Sequence, residues 1–493
     1  MNLRKIKGGA SVDSLTLTAV KLLTMLSSMV IVKILSVKLS LTEYGAYSAI
    51  MVVVNMGVNI AILGLLDATN YFFNQTTDRE KREQIIATTL LVELVVAGIF
   101  AILTILFRSQ ISAYFKMPSI ASAIIIAAWI PLFMNGISIY QILYVAVKKA
   151  KLISLFSLAA SLVKLIYVSI IAFTTKNISF IFSCMLVAEI FQLLLMMVIF
   201  KKKTGYELRF RIASKSLAID ILKYAIPMGT YIWINTLTKE TDKLIIGRLA
   251  GPESLAMYTN AAKQLPFDIL TASFITVLIP YITRFLASNK SEDAAHALSR
   301  YFQISMIGVW GLALGVFLRP EGLITILYSE QYTQTKVIFL IYIVVDMVRI
   351  LQTSILFSAT NNSKLLLRYA AIVCVGNIGL DILLYFQMGI VGPAVATLIV
   401  NIINTLYMVW KGARIISVSP VMLIDPRKVI WQLSRFALPL AVGIVIKLLI
   451  GPLGIHIAIE FLLIYTVYLV CMLAVNYRTA VSLIKEINQL KLV

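Results

Sequence analysis

Charged side chains are scarce in this sequence. Only 14% of the 493 residues are Asp, Glu, Lys or Arg, whereas about a quarter of an average soluble domain is charged. Hydrophobic residues make up 60% of the chain, and the mean hydropathy is +0.92. This composition excludes a soluble enzyme and a disordered chain, and it predicts a protein that is solvated by lipid.

Cysteine and histidine are also rare, and the common nucleotide and hydrolase motifs are missing. Cys184, Cys374 and Cys471 lie far apart in apolar stretches, which is typical of small core residues rather than of a disulfide framework or zinc site. His296 and His456 are the only histidines. The sequence has no Gly-x-x-x-x-Gly-Lys-Ser/Thr, Gly-x-Gly-x-x-Gly or Gly-x-Ser-x-Gly motif. We therefore expect no catalytic residue, no metal site and no cofactor.

Apolar stretches long enough to cross a bilayer recur along the whole chain. A spanning helix needs roughly 20 apolar residues, and the sequence predicts about fourteen of them, with no strands. The predicted spans are 14–37, 47–67, 85–107, 120–147, 152–174, 180–200, 220–246, 255–284, 301–318, 337–359, 369–386, 391–410, 430–450 and 455–475.

The net charge of +21 follows this topology. Most Lys and Arg residues fall in every second loop, and the longest basic segment is 201–219. Because cytoplasmic loops are enriched in Lys and Arg, both termini are predicted to be cytoplasmic, in a multi-pass protein of the cytoplasmic membrane. A soluble protein with this charge would indicate nucleic acid; here we expect no nucleic-acid partner.

Ten basic residues remain inside the predicted spans, where charge is costly and usually faces a water-filled cavity or a protein partner. They are Lys21, Lys33, Lys164, Lys223, Lys239, Lys243, Lys263, Arg349, Arg435 and Lys447.

An internal repeat divides the chain. Lys33 to Leu39 followed by Glu43 runs parallel to Lys243 to Leu249 followed by Glu253, which indicates two homologous halves of about six helices. The predicted divisions are an N-terminal lobe (1–200), a basic cytoplasmic linker (201–219), a C-terminal lobe (220–412), and helices 13 and 14 with a tail (413–493). Two copies in one orientation predict a cavity between the lobes.

Three motifs carry a resemblance to a known family. They are Leu39-Ser-Leu-Thr-Glu-Tyr-Gly45, Thr241-Asp-Lys-Leu-Ile-Ile-Gly247 and Leu327-Tyr-Ser-Glu-Gln-Tyr332. The chain resembles Wzx-type polysaccharide repeat-unit flippases of the multidrug/oligosaccharidyl-lipid/polysaccharide (MOP) exporter superfamily, which includes the MATE transporters. The resemblance implies two six-helix lobes around a central cavity, alternating access, and movement of a polyprenyl-pyrophosphate-linked oligosaccharide to the outer leaflet. That cargo would serve O-antigen, capsule or exopolysaccharide synthesis. The expected partners are this substrate, membrane lipids and a polysaccharide polymerase, and the protein is expected to act as a monomer.

A pyrophosphate cargo needs compensating cations in a wet cavity. The predicted substrate-binding cations are Lys21, Lys33, Lys164, Lys243 and Lys263.

Carboxylates in the spans have two interpretations. Glu93 and Glu189 either couple transport to a proton gradient or neutralise Lys21 or Lys164. Helix spacing at i,i+3 also predicts charge networks within single helices. Their members are Lys239, Glu240, Asp242, Asp346 and Arg349.

Aromatic residues and prolines within the spans each have two interpretations. Trp233, Tyr231, Tyr140 and Tyr144 are candidates for stacking on sugars, although interfacial anchoring explains most membrane aromatics. Pro227, Pro266 and Pro280 are candidate hinges, although packing kinks are the more common role.

Three other functions remain open. A peptidoglycan-precursor lipid flippase shares the fold expected here. A multidrug antiporter for organic cations would favour unpaired cavity carboxylates over lysines. A membrane glycosyl polymerase or ligase would present a large outer loop, whereas the segments near 108–119 and 319–336 are short.

Overall fold

The computed structural model describes the backbone of residues 3–490 except 176, 264, 266, 268 and 361. Within that range the side chains of 3–19, 21, 269–277, 358, 363 and 487–490 are not described. The described chain is helical throughout and contains no strand. Its three cysteines are free thiols, as the sequence predicts.

The helices fall into two compact units, Met1–Met257 and Tyr258–Val493. The first unit contains α1 Leu3–Lys38, α2 Leu41–Ala61, α3 Leu65–Gln75, α4 Arg79–Leu106, α5 Arg108–Tyr114, α6 Ala121–Ala127, α7 Ile130–Ala146, α8 Ala150–Thr174, α9 Ile178–Thr204, α10 Lys215–Leu249 and the start of α11 Pro252–Ala261. The second contains α12 Ile269–Ala287, α13 Ser291–Ser305, α14 Gly311–Val316, α15 Pro320–Leu327, α16 Lys336–Arg349, α17 Ser354–Ala359, α18 Ser363–Met388, α19 Gly392–Ile415, α20 Pro420–Leu423, α21 Pro426–Ile450 and α22 Ile457–Leu490.

Within the described residues, nine helices are long and apolar enough to cross a membrane. The count becomes ten if one bent pair, Ser291–Val316 and Pro320–Leu327, forms a single span with a 94° bend. The chain is therefore a multi-pass membrane protein, and the count of fourteen spans stays a prediction.

Several predicted spans are interrupted. The span predicted at 47–67 breaks between Ala61 and Leu65, and the span at 255–284 breaks between α11 and α12. At the first break, Leu63 has φ +50° and Gly64 has φ +78°, a left-handed conformation that glycine adopts without strain. Hydropathy alone missed the first interruption because the apolar sequence continues through it from Ala61 to Leu65, whereas the second coincides with the polar residues Lys263 and Asp268.

Helix ends follow local capping rules. Ser40 and Glu43 form a capping box at the start of α2: Ser40 Oγ accepts from the Glu43 N–H at 3.2 Å, and the Ser40 N–H donates to Glu43 Oε2 at 2.7 Å. Asp78 caps α4 by accepting from the Glu80 N–H at 3.0 Å. These caps fix where the first spans begin.

Each unit has its own apolar core. In the first unit α1 packs along α8, with Ile31 and Leu35 against Val168 and Ile171. The outward faces remain apolar, as on α8, where Ile166 is 60% exposed. A helix that is long enough to cross a membrane and that exposes this much apolar surface is expected to face lipid.

The last complete helix of the first unit, α10, packs against α2, α3 and α4. The boundary between the compact units lies after α10, within α11, at Met257. The division into lobes around the linker 201–219 stays a prediction from the repeat.

Candidate functional site

The densest charge cluster lies on α10. Lys243 Nζ lies 2.9 Å from Glu240 Oε2 and donates to the Lys239 carbonyl at 3.2 Å. Asp242 is buried, and its Oδ1 accepts from the Lys243 N–H at 2.7 Å. The predicted i,i+3 pairing of Glu240 with Lys243 is therefore present, and this pair offsets much of the charge of the candidate cation Lys243.

Lys164 on α8 lies opposite a carboxylate on the neighbouring helix. Both Lys164 and Glu189 of α9 are half-buried, and their charges interact across the α8–α9 contact. The sequence left two acids open as the partner of Lys164. The structure brings Glu189 to it and places Glu93 elsewhere.

The other predicted cations are spread over distant elements. Lys33 is half-buried in the last third of α1 and has an interaction partner within the protein. Lys263 is exposed just after α11 and also has an interaction partner within the protein. The side chain of Lys21 lies outside the described residues.

Asp346 and Arg349 of α16 have separate partners. Arg349 Nε donates to Asn401 Oδ1 of α19 at 3.4 Å, and Asp346 Oδ2 accepts from the Leu265 N–H at 3.3 Å. These contacts link α16 to two other segments of the second unit. The Asp346–Arg349 salt bridge stays a prediction.

Glu93 lies deep inside the first unit. Its side chain is 1% exposed, and it lies beside Asn135 of α7. Within the described residues, neither of its carboxylate oxygens has a hydrogen-bond partner. Such an environment is unusual for a carboxylate, since buried polar groups are almost always satisfied.

The structure also shows a carboxylate that the sequence reasoning missed. Asp381 of α18 is fully buried, and its Oδ2 accepts from Asn377 Nδ2 at 2.7 Å. Asp381 has a further interaction within the protein. The signal in the sequence was an Asp within the predicted span 369–386.

Two of the predicted sugar-stacking aromatics are core residues instead. Tyr140 and Tyr144 are 2% and 0% exposed, and both rings pack edge-on against Phe200. The Tyr144 hydroxyl donates to the Met196 carbonyl at 2.8 Å. With both rings enclosed, neither can receive a sugar in this conformation, so that hypothesis is wrong for these two residues.

Trp233 of α10 has a structural contact at the break between α2 and α3. Its Nε1 donates to the Ile60 carbonyl at 2.8 Å. One turn before it, Gly229 lies so close to the break that an added Cβ would be 2.6 Å from the Leu63 carbonyl carbon. Trp233 and Gly229 therefore dock α10 onto the interrupted span. Tyr231 as a sugar contact stays a prediction.

Two of the three candidate hinge prolines lie inside continuous helices. α10 continues through Pro227, and α12 continues through Pro280. Pro266 lies outside the described residues. A hinge at any of these positions stays a prediction.

The two repeat-related loops meet. Thr42, at the start of α2, lies with Oγ1 3.1 Å from Glu253 Oε1 at the start of α11. A Cβ added to Gly45 would lie 2.1 Å from the Pro252 carbonyl oxygen, so backbone approaches backbone here. Both loops fall on the predicted outer side, and their contact joins the spans on either side of it.

The basic linker is held by a charge cluster on the predicted cytoplasmic side. Glu207 lies 3.0 Å from Lys201 Nζ and 2.7 Å from an Arg209 guanidinium nitrogen. Hydrogen bonds from Arg209 and Lys201 lower the pKa of Glu207 to about 2. The Glu207 N–H also donates to Glu83 Oε1 at 3.1 Å, which ties the linker to the first turns of α4.

Comparison with known proteins is consistent at the levels of sequence and fold. A family model described as "polysaccharide biosynthesis protein" matches residues 34–337, more than half of the chain. A comparison with curated protein sequences finds no match.

Several solved transporters share the fold. The lipid II flippase MurJ in an inward closed conformation is 16% identical with a TM-score of 0.70, and the alignment covers 94% of this chain and 99% of that one. A multidrug resistance MATE family transporter of the MOP superfamily in its inward-facing conformation is 14% identical with a TM-score of 0.68, covering 80% and 94%. A MOP superfamily transporter from Pyrococcus furiosus is 13% identical with a TM-score of 0.58, covering 83% and 95%. The chain therefore has the fold of MOP-superfamily transporters.

Proposed function

We propose, since this chain belongs to the polysaccharide biosynthesis protein family, that it is a flippase for a lipid-linked oligosaccharide. The cargo would be an oligosaccharide on polyprenyl pyrophosphate, moved from the inner to the outer leaflet of the cytoplasmic membrane by alternating access. The observation that carries the proposal is the coincidence of this family with a transporter fold.

The charge of the cargo fits the cations in the spans. A pyrophosphate diester is anionic, and its passage needs positive charge in a wet environment. Lys164 is the strongest candidate, because it is half-buried within a span and its charge is offset only across a helix contact by Glu189. A pyrophosphate could take over this interaction, whereas Lys243 already has a 2.9 Å partner on its own helix.

Transport also requires that one end of the pathway be closed at a time. The contact of Thr42 with Glu253 and of Gly45 with Pro252 joins the two repeat-related loops on the predicted outer side. We assign this contact the role of the outer closure, which would have to separate for release. The cycle makes and breaks no covalent bond in the cargo, so we expect no enzymatic activity.

The test uses purified protein in liposomes that contain a fluorescent polyprenyl-pyrophosphate oligosaccharide. Leaflet exchange is followed by quenching of outer-leaflet label. We expect exchange with the intact chain and a large loss with Lys164→Ala, while Lys447→Ala near the end of α21 serves as the matched control. Absence of exchange, together with no accumulation of lipid-linked oligosaccharide in a deletion strain, would refute the proposal.

A peptidoglycan-precursor flippase is the second candidate, favoured by the fold similarity to MurJ. The same liposomes loaded with lipid II distinguish the two. Exchange of lipid II but not of the oligosaccharide lipid would select the second candidate.

A membrane glycosyl polymerase or ligase would instead lengthen or transfer the glycan, which mass spectrometry of the recovered lipid detects. The proposed polymerase partner and the monomeric state are tested by co-purification and by size in detergent.

A further inference from the structure

One exposed face of α3 is polar and aromatic. Its members Asp67, Asn70, Tyr71 and Asn74 are all exposed, and their spacings of three and four residues place them on one side of the helix. The strip from Asp67 to Asn74 is about 10 Å long. Because α3 belongs to the 35-residue candidate span Leu41–Gln75, these polar side chains lie on a helix that is otherwise suited to lipid.

This face of α3 does not suit contact with lipid. The neighbouring span α4 exposes Leu94, Val95 and Ile99, as a lipid-facing helix should. A charged side chain within a span usually borders water instead. Asp67 lies about 12 Å before the end of α3, deeper than Tyr71, and an interfacial tyrosine needs no such carboxylate. The polar face of α3 therefore borders a water-filled space.

A tyrosine of α10 extends this face into an aromatic surface. The rings of Tyr71 and Tyr224 stack with their centroids 4.7 Å apart and their planes at 14°. Phe72 packs edge-on against both rings, which holds the pair in place. Tyr71 nevertheless remains 45% exposed and Tyr224 37% exposed. Unlike the enclosed Tyr140 and Tyr144, these rings can receive a ligand in this conformation.

The chemistry of the surface fits a neutral sugar better than a phosphate. Asn74 Nδ2 donates to Asn70 Oδ1 and to the Asn70 carbonyl, both at 2.8 Å, and these bonds orient the two amides. A sugar packs its C–H face on an aromatic ring, while its hydroxyls bond to amides and carboxylates. Leu65–Gln75 contains one carboxylate and no Lys or Arg. Lys223 precedes Tyr224 but lies about 100° around α10 from it.

We propose that Asp67, Asn70, Tyr71, Asn74 and Tyr224 form a glycan subsite that binds the sugars of the lipid-linked oligosaccharide on the predicted cytoplasmic side. The cargo arrives from that side with its sugars in water and its lipid in the bilayer. The strip on α3 is long enough for about two sugar rings. This inference rests on the proposed flippase function, and it separates the binding of the sugars from the binding of the pyrophosphate.

The experiment compares two probes on the purified full-length protein in detergent. One is the polyprenyl-pyrophosphate oligosaccharide of the transport assay, and the other is the same polyprenyl pyrophosphate without sugars. Thermophoresis of the labelled protein gives a Kd for each probe. Tyr71→Leu and Tyr224→Leu each remove one ring, whereas Tyr71→Phe keeps the ring. Tyr477→Leu is the matched control, because Tyr477 is 67% exposed on α22 beside the exposed Leu473.

Wild type should bind the sugar-bearing probe more tightly than the bare lipid pyrophosphate. Tyr71→Leu and Tyr224→Leu should each weaken binding of the sugar-bearing probe by about 2- to 12-fold and leave the bare probe unchanged, while Tyr71→Phe and Tyr477→Leu should retain the preference. The proposal is overturned if wild type binds both probes equally, or if the two leucine variants keep the preference. It is also overturned if they weaken both probes equally, which a merely structural role would produce.

The outcome separates from that of the flippase assay. Exchange of the oligosaccharide lipid, together with an unchanged preference in Tyr71→Leu and Tyr224→Leu, overturns the glycan subsite and leaves the flippase proposal standing. A preference that these variants abolish, without exchange of any lipid in liposomes, does the reverse. Should the leucine variants fold poorly, Asn70→Ala keeps the test decisive, because it leaves both rings in place and must still weaken binding of the sugar-bearing probe alone.

Discussion

A methyl group at Gly45 should open the contact between the two repeat-related loops. The added Cβ would lie 2.1 Å from the Pro252 carbonyl oxygen and 2.6 Å from its carbonyl carbon, whereas carbon and oxygen normally approach to about 3.3–3.6 Å. The neighbours of that methyl are backbone atoms, so no side chain can turn aside. The loops must move apart by more than about 1 Å.

The size of the effect follows from the cost of overpacking. Inserting a methyl group into a filled contact costs about 1–3 kcal/mol. Since every 1.4 kcal/mol is a factor of ten, Gly45→Ala should shift the closed-to-open ratio of this contact by about 5- to 150-fold. If the contact is the outer closure, the protein will occupy the outward-open state more often.

Cross-linking between Thr42→Cys and Glu253→Cys measures the contact directly, because the two native side chains approach to 3.1 Å. The native cysteines are replaced by alanine, and a short bifunctional reagent is used in membranes. We expect Gly45→Ala to lower the rate of cross-linking. Gly98→Ala is the matched control, since a Cβ at Gly98 meets nothing within 4 Å.

Two results would refute this reasoning. One is an unchanged cross-linking rate in Gly45→Ala, which would mean that the loops separate freely without the methyl group. The other is an equal fall in Gly98→Ala, which would mean that the assay reports a general effect of replacing glycine.

Three further predictions concern charges. Lys164→Ala should lower surface polysaccharide without lowering the amount of protein in the membrane, and Lys164→Arg should retain part of it if charge alone is needed; unchanged polysaccharide in Lys164→Ala would contradict a cation in the pathway. Lys243→Met should lower the melting temperature because it leaves Glu240 without its 2.9 Å partner, at a cost of about 1–3 kcal/mol. Adding Glu240→Gln should restore most of that loss. A double variant no more stable than Lys243→Met would exclude the ion pair as the cause. The ion pairs of Glu207 lower its pKa to about 2. Their contribution to the stability of the folded protein is present above the unfolded-state pKa of Glu207 and is lost as the pH falls from about 4.5 towards 2. The melting temperatures of wild type and Glu207→Gln should therefore differ at neutral pH and converge in acid.

The partners of the charged candidate residues could be predicted from the sequence in one case but not in the other. The Glu240–Lys243 pair was predictable because i,i+3 spacing places both side chains on one face of α10. The partner of Lys164 was not, because the choice between Glu93 and Glu189 depends on which helices are neighbours. Spacing within a helix is a property of the chain, whereas proximity between helices requires the packed bundle.

The same limit explains the errors on aromatics and helix breaks. Tyr140 has the chemistry to stack on a sugar, but Phe200 covers its ring, and nothing in the local sequence shows that. The break at Leu63 and Gly64 lies in an uninterrupted apolar stretch, and α10 packs against it through Gly229.

The sequence by itself determined that this chain is a helical, multi-pass membrane protein, because apolar length and charge distribution act locally through transfer into lipid. The sequence also indicated the protein family, because the motifs that identify it are continuous along the chain. Only the tertiary structure decided which buried charges are paired and which are not. Glu93 and Glu189 are both acids within apolar helices, yet one faces Lys164 and the other faces Asn135. The free energy of a buried charge depends on what surrounds it, and those surroundings exist only once the helices have packed.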